Sequence, residues 1–414
     1  MKKLISFVMI IAITLSFTGL VNAQTYYYTL MPGKNYEIIN KSRKEIRIYK
    51  ESKEIDHFDE AAYYKENSYD SFWKVEYYRN KGYTHIQLYP EGRTVVTVWE
   101  NSKPIVIKND INYEIREIEY PALHYGILKS GKTYEFKNLT YSKIDIGTSP
   151  GADKFFDEAG YIKSDIKTYQ RKSAYTPISI LGGGSTLVTV PSSSPDIEYY
   201  YCYDEFDKRI EVREVEGPSL YVGVLEPGKS YEFTNKSGKN IEMKAKYSKQ
   251  RYFDQTLYYN DGNLSVSRKK DKSSILLMPK GRTVVTVPST SLDIEYYYGY
   301  NEFIQNIEIK EVKDPALYVS VLKSGKTYEF INKSELDIYL ENDFGPDKLY
   351  DADIYYEDGK VVSNKEIAYT RIYIPPKGRT VVTVPQSSTD IEFFYAYDEY
   401  MRYVIDNTGM QPKK

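Results

Sequence analysis

Gly131-Lys132-Thr133-Tyr134-Glu135-Phe136 returns as Gly228-Lys229-Ser230-Tyr231-Glu232-Phe233 and again as Gly325-Lys326-Thr327-Tyr328-Glu329-Phe330. A divergent copy, Gly33-Lys34-Asn35-Tyr36-Glu37-Ile38, precedes them, and the leading glycines stand 98, 97 and 97 residues apart. Working outward, a second marker, Gly281-Arg282-Thr283-Val284-Val285-Thr286-Val287-Pro288, recurs at 378–385. It recurs without its arginine at 184–191, and at 92–98 with Trp99 in place of the proline. A third marker, Asp196-Ile197-Glu198-Tyr199-Tyr200-Tyr201, recurs at 293–298 and 390–395. Three markers in constant order at constant spacing mean one unit copied in series, and about 97 residues suits an independent domain. The expected organisation is a leader at 1–23 followed by repeats at 24–120, 121–217, 218–314 and 315–414.

Each unit reads as β structure. In the third repeat, 220–225 is an apolar strand and Glu226-Pro227-Gly228-Lys229 its turn. Tyr231 and Phe233 alternate with polar neighbours, and Ile241, Met243 and Ala245 share one side of the next strand. Asp261-Gly262 predicts a primed hairpin turn. Segments 283–287, 293–300 and 307–312 bring the count to seven or eight strands, and no segment keeps a helical apolar period over three turns. The expected fold is all-β: four tandem β-sandwiches, with immunoglobulin-like and jelly-roll-like topologies both compatible. Pro121, Pro218 and Pro315 mark short, semi-rigid joints without Gly/Ser linkers.

Composition narrows the function classes. Lys+Arg 56 against Asp+Glu 58 gives a net charge of −2 over 414 residues, which argues against electrostatic capture of nucleic acid. One cysteine rules out an intramolecular disulfide framework and Cys-based zinc clusters, and three histidines leave little for His-centred catalysis. The 46 tyrosines supply the apolar area that the aliphatic residues do not. Met1-Lys2-Lys3, an apolar run over 4–21 and Val21-Asn22-Ala23 read as a bacterial-type signal peptide. The expected location is therefore extracellular, free or held non-covalently at the cell surface. No second apolar stretch reaches spanning length, so no membrane insertion of the mature chain is expected.

Candidate contacts come from the aromatic residues. Alternation along 293–300 sends Ile294, Tyr296, Tyr298 and Tyr300 inward, leaving Tyr297 outward, with Tyr200 and Phe394 at the matched positions. Outward rings beside carboxylates suit sugar stacking; ordinary cross-strand packing is the competing reading. The first repeat carries six extra residues between its two glycine markers, amid Trp73, Tyr77 and Tyr78, and both tryptophans of the chain, Trp73 and Trp99. This suits either target recognition by loops on a rigid scaffold or the atypical end of an array.

Other motifs read as structural. Tyr203-Asp204-Glu205-Phe206, with copies at 300–303 and 397–400, reads as a solvated acidic turn rather than a calcium site, two carboxylates being far short of six ligands. Cys202 aligns with Gly299 and Ala396, so the position needs a small buried residue. Asn40, Asn138, Asn235 and Asn332 each begin an Asn-X-Ser/Thr triplet, read as turn closure rather than glycosylation. With no nucleophile motif, phosphate-cradling loop or metal cluster, no enzyme, cofactor or metal is expected. The sequence points instead to a binding or adhesion protein contacting polysaccharide or an extracellular protein. The second class is a self-associating matrix or spacer component, and the third, ranked below both, is a carbohydrate-active enzyme using a carboxylate pair whose residues need not be adjacent in sequence.

Overall fold

A computed structural model describes residues 27–50, 57–65, 73–79, 85–108, 110–246, 251–269, 274–343, 345–367 and 371–406. The leader at 1–23 lies outside these residues. Among the described residues no helix is long and apolar enough to cross a membrane. The chain forms two compact units, one of 1–156, 160–163 and 172–215, the other of 157–159, 164–171 and 216–414.

The molecule is nearly all β, built of repeated sandwiches. In the third repeat the strands are Leu220–Leu225, Ser230–Asn235, Ile241–Ala245, Phe253–Tyr258, Leu264–Lys269, Ser274–Leu277, Arg282–Thr286, Ile294–Gly299 and Ile307–Val312. One sheet runs first-eighth-third-sixth and the other fifth-fourth-seventh-second-ninth. The fourth repeat has the same two orders. The first keeps the five-stranded order and divides its other sheet into first-eighth and third-sixth pairs, with a bridge between Lys50 and Ile107. In the second repeat Leu123–Leu128, Ile197–Cys202, Ile144–Thr148 and Ile178–Ile180 repeat the four-stranded order, and Thr133–Asn138 pairs with Gly184–Thr189 and Ile210–Val215. First beside eighth, second beside seventh and fourth beside fifth is the jelly-roll order, with the ninth strand added at the edge next to the second.

Alternation explains the core. Phe233, inward on the second strand, meets Tyr296 of the eighth at 5.5 Å and 86°, tying the two sheets together. Phe136–Tyr199 at 5.2 Å and Phe330–Phe393 at 5.3 Å repeat the contact. The first and third markers recur because they supply these two rings.

Three local expectations change. Among the described residues each repeat has nine strands rather than seven or eight, because Leu264–Lys269 and short Ser274–Leu277 carry little apolar signal but complete the sheets. At Asp261-Gly262 only the glycine has positive φ, +89°, and its amide donates to the Tyr259 carbonyl at 3.3 Å. The hairpin is thus closed by an ordinary turn ending in a left-handed glycine, not a primed one. The acidic segments are not solvated turns but seven-residue helices, Tyr203–Arg209, Tyr300–Asn306 and Tyr397–Tyr403. A buried ring pins each to its own first strand: Phe206 stacks on His124 at 3.9 Å, Phe303 on Tyr221 at 3.6 Å and Tyr400 on Tyr318 at 3.9 Å.

The asparagine turns are as expected. Asn235 is 1% exposed; its Nδ2 donates to the carbonyls of Lys239, Leu277 and Met278, and its Oδ1 accepts from the Ser237 amide and hydroxyl. Asn40, Asn138 and Asn332 are held in the same way. Cys202 is fully buried, and burial pushes its thiol pKa well up.

Candidate binding site

The outer face of each four-stranded sheet, where outward rings were expected, receives the fourth-fifth strand hairpin of the preceding repeat. In the second unit Arg171 pairs with Asp157 of its own hairpin at 2.7 Å and with Glu295 of the third repeat at 2.7 Å. Arg268 does the same with Asp254 at 3.1 Å and Glu392 of the fourth repeat at 2.5 Å. In the first unit Arg79 pairs with Glu198. Aspartate and arginine face each other across the hairpin, and the glutamate belongs to the third sequence marker.

A second ion-pair system reinforces the joints. Arg282 of the second marker reaches Glu232 of the first at 3.2 Å and Asp398 of the next repeat's helix at 2.6 Å, lying 3.6 Å above the Tyr258 ring. Tyr258 also donates its hydroxyl proton to Asp398. Arg93 likewise joins Glu37 at 2.9 Å and Asp204 at 2.7 Å over the Tyr63 ring. Burial alone would raise the Asp204 and Asp398 carboxyls, but Lys208 of its own helix together with Arg93 holds Asp204, and Tyr258 with Arg282 holds Asp398, below the usual range. The second repeat has Ser185 for this arginine and the third has Asn301 for the aspartate, so the two partners change together.

This arrangement relocates most of the expected contact residues. Tyr200 lies under Tyr77 at 6.2 Å, Tyr297 under Tyr169 at 6.4 Å, and Phe394 packs against the Val284, Ala316 and Leu317 cluster that Val266 of the hairpin also joins. They are half-buried, and the open platform expected of them is covered by the preceding hairpin. Tyr77 is itself a joint residue: its ring meets Tyr201 edge-on at 4.9 Å and its hydroxyl donates to the Asp145 carbonyl at 2.5 Å. Tyr78 points to solvent, 39% exposed, and donates to Glu76 at 3.2 Å. Trp73 begins the strand Trp73–Tyr78; its side chain lies outside the described set.

Trp99 is different. It lines an open cleft of about 560 Å³ at the joint of the first and second repeats, with Asp59, Arg79, Glu100, Asn101 and Tyr125. The Arg79 guanidinium lies 4.6 Å from the Tyr125 ring and 5.4 Å from Trp99, and His57 stacks on Trp99 at 5.5 Å. Tyr125 donates to the Asp59 carboxylate; burial, with Asp59 beside it, pushes the phenol pKa well up. The cleft is particular to this joint, because the later repeats put proline at the Trp99 position (Pro191, Pro288) and valine at the Tyr125 position (Val222, Val319). Of its residues only Trp99 is singled out by the sequence. Asp59 and Arg79 could have been found from the recurring Asp157/Arg171 and Asp254/Arg268 spacing, which the first repeat's six extra residues stretch. Tyr125 is brought there by the joint alone.

No family model matches the chain, and no curated protein matches it.

Proposed function

We propose that the chain is an exported, non-catalytic binding protein that holds a polysaccharide in the Trp99 cleft. One observation carries the reading: two aromatic residues, Trp99 and Tyr125, share a single opening with two carboxylates, a guanidinium and a carboxamide. Sugar C–H faces pack against rings, while hydroxyls need the mixture of donors and acceptors that Asp59, Arg79, Glu100 and Asn101 offer. The volume falls within the range of small-ligand clefts, about 300–1,000 Å³. Export rests on the leader at 1–23, and the absence of catalysis on the lack of any nucleophile or metal motif in the sequence.

The test compares wild type, Trp99→Ala and Tyr78→Ala for retention on insoluble polysaccharides and on immobilised matrix proteins. Thermal unfolding serves as the check that each variant is folded. Wild type should be retained by a polysaccharide, Trp99→Ala should weaken retention by roughly tenfold or more, and Tyr78→Ala should leave it unchanged. Retention by matrix protein alone would replace the sugar with a protein ligand. Retention by neither would remove the proposal.

A further inference from the structure

The first two joints are filled by the same ring. Tyr77 meets Tyr201 at 4.9 Å and 69° and Tyr200 at 6.2 Å and 88°. Tyr169 meets Tyr298 at 4.7 Å and 66° and Tyr297 at 6.4 Å and 84°. In each case the hairpin lays a tyrosine edge-on against two neighbouring rings of the next repeat's eighth strand. The matched position on the third hairpin is Val266, two residues before Arg268 as Tyr169 is two before Arg171. Cross-strand register agrees, since Ala61 pairs with Tyr77 and Thr256 with Val266.

The receiving rings are retained, as Phe394 and Tyr395, but among the described residues the matched hairpin position is Val266, which packs with Phe394 against Val284 and Leu317 and leaves Tyr395 without a facing ring. A cavity of about 410 Å³ lies there instead, lined by Leu264, Val266, Tyr339, Tyr395, Glu399 and Tyr403. Tyr339 occupies the position of Asp145, whose carbonyl accepts the Tyr77 hydroxyl at the first joint. One of the two receiving rings, Tyr395, and the strand that supplies a hydroxyl acceptor therefore border a space that the described residues leave open. Close packing is the rule inside proteins, so a loss of side-chain volume at one of three like joints needs an occupant or a cost.

We propose that the joint of the third and fourth repeats is a binding site for a p-hydroxyphenyl ring, which takes the place held by Tyr77 and Tyr169 at the sister joints. The site is separate from the Trp99 cleft and does not depend on the polysaccharide reading.

The test uses the full chain and two probes, p-cresol for a free phenol and N-acetyl-tyrosinamide for a tyrosine in a peptide, with N-acetyl-leucinamide as the control. Affinity is measured by titration, and contact by saturation transfer from protein to ligand. Wild type should bind a phenolic probe and not the control. Val266→Tyr, which restores the sister side chain, should weaken that binding by roughly tenfold or more while raising the unfolding temperature. Val266→Phe should block the site in the same way, so that one poorly folding variant does not decide the outcome. Binding of both probes would identify a peptide tyrosine as an acceptable source; binding of p-cresol alone would restrict the site to small phenols. Failure of wild type to bind either probe, unchanged binding by the Val266 variants, or failure of both variants to fold would each overturn the proposal.

Discussion

At the scale of single residues, the four copies differ in ways that compensate. Gly126 and Gly223 sit opposite Tyr199 and Tyr296, and a Cβ at either glycine would overlap the phenol ring. The fourth repeat has Ser320 there, opposite Phe393, which lacks the hydroxyl. The first has Tyr28 opposite the smaller Ile107. In the second, third and fourth repeats the pair thus stays close in volume, as a close-packed core requires, whereas the first repeat holds a larger pair. Gly223→Ser alone should destabilise by about 1–3 kcal/mol, and adding Tyr296→Phe should recover most of the loss. Chemical denaturation of the two variants measures this, and equal stability of single and double mutants would refute the pairing. Asn235→Ala should cost about 1–3 kcal/mol, because three carbonyls and the Ser237 donors lose their partner in a buried turn. A loss of only a few tenths in the same measurement would mean that water replaces the amide.

At the scale of elements, the hairpin and the short helix act as the two halves of a joint. Phe303 or Tyr400 fixes the helix to its own sheet, and Asp398 then meets Arg282 and Tyr258 of the preceding repeat. The folded pKa of Asp398 lies below its unfolded value, so its contribution to stability is present above about pH 4 and lost as pH falls through the folded pKa. Glu399 works in the opposite sense, because burial and the neighbouring Asp398 raise its pKa and acid relieves that penalty. Asp398→Asn, the natural choice at Asn301, should lower stability near pH 6 and flatten its decline toward pH 3. Thermal unfolding across that range reads both effects. Parallel curves for wild type and variant would show that the ion pair contributes nothing measurable, as many exposed pairs do.

At the scale of the whole molecule, one sandwich serves repeatedly while the joints diverge. The first joint carries the Trp99 cleft and the third the Val266 cavity, in separate compact units and with no shared residue. The two sites should act independently: Val266→Tyr should leave polysaccharide retention unchanged, and Trp99→Ala should leave phenol binding unchanged. Coupling in either direction, measured with the same retention and titration assays, would mean that one ligand alters the other's site.

The repeat, the β class and the turn role of Asn40, Asn138, Asn235 and Asn332 can be read from the chain alone, because these depend on local spacing and alternation. The sequence could not choose between sandwich topologies, since strand order depends on which strands pair across dozens of residues. It also left the helix at Tyr203–Arg209 unread, because two turns pinned by one buried ring, Phe206, show no helical period. Alternation correctly sent Tyr200, Tyr297 and Phe394 away from their own cores, but not where they would end. That was decided when the preceding hairpin covered them, a contact between residues about 120 positions apart that only tertiary packing brings together. The candidate sites follow from the same cause: Trp99 with Tyr125, and Val266 with Tyr395, are neighbours across joints rather than along the chain.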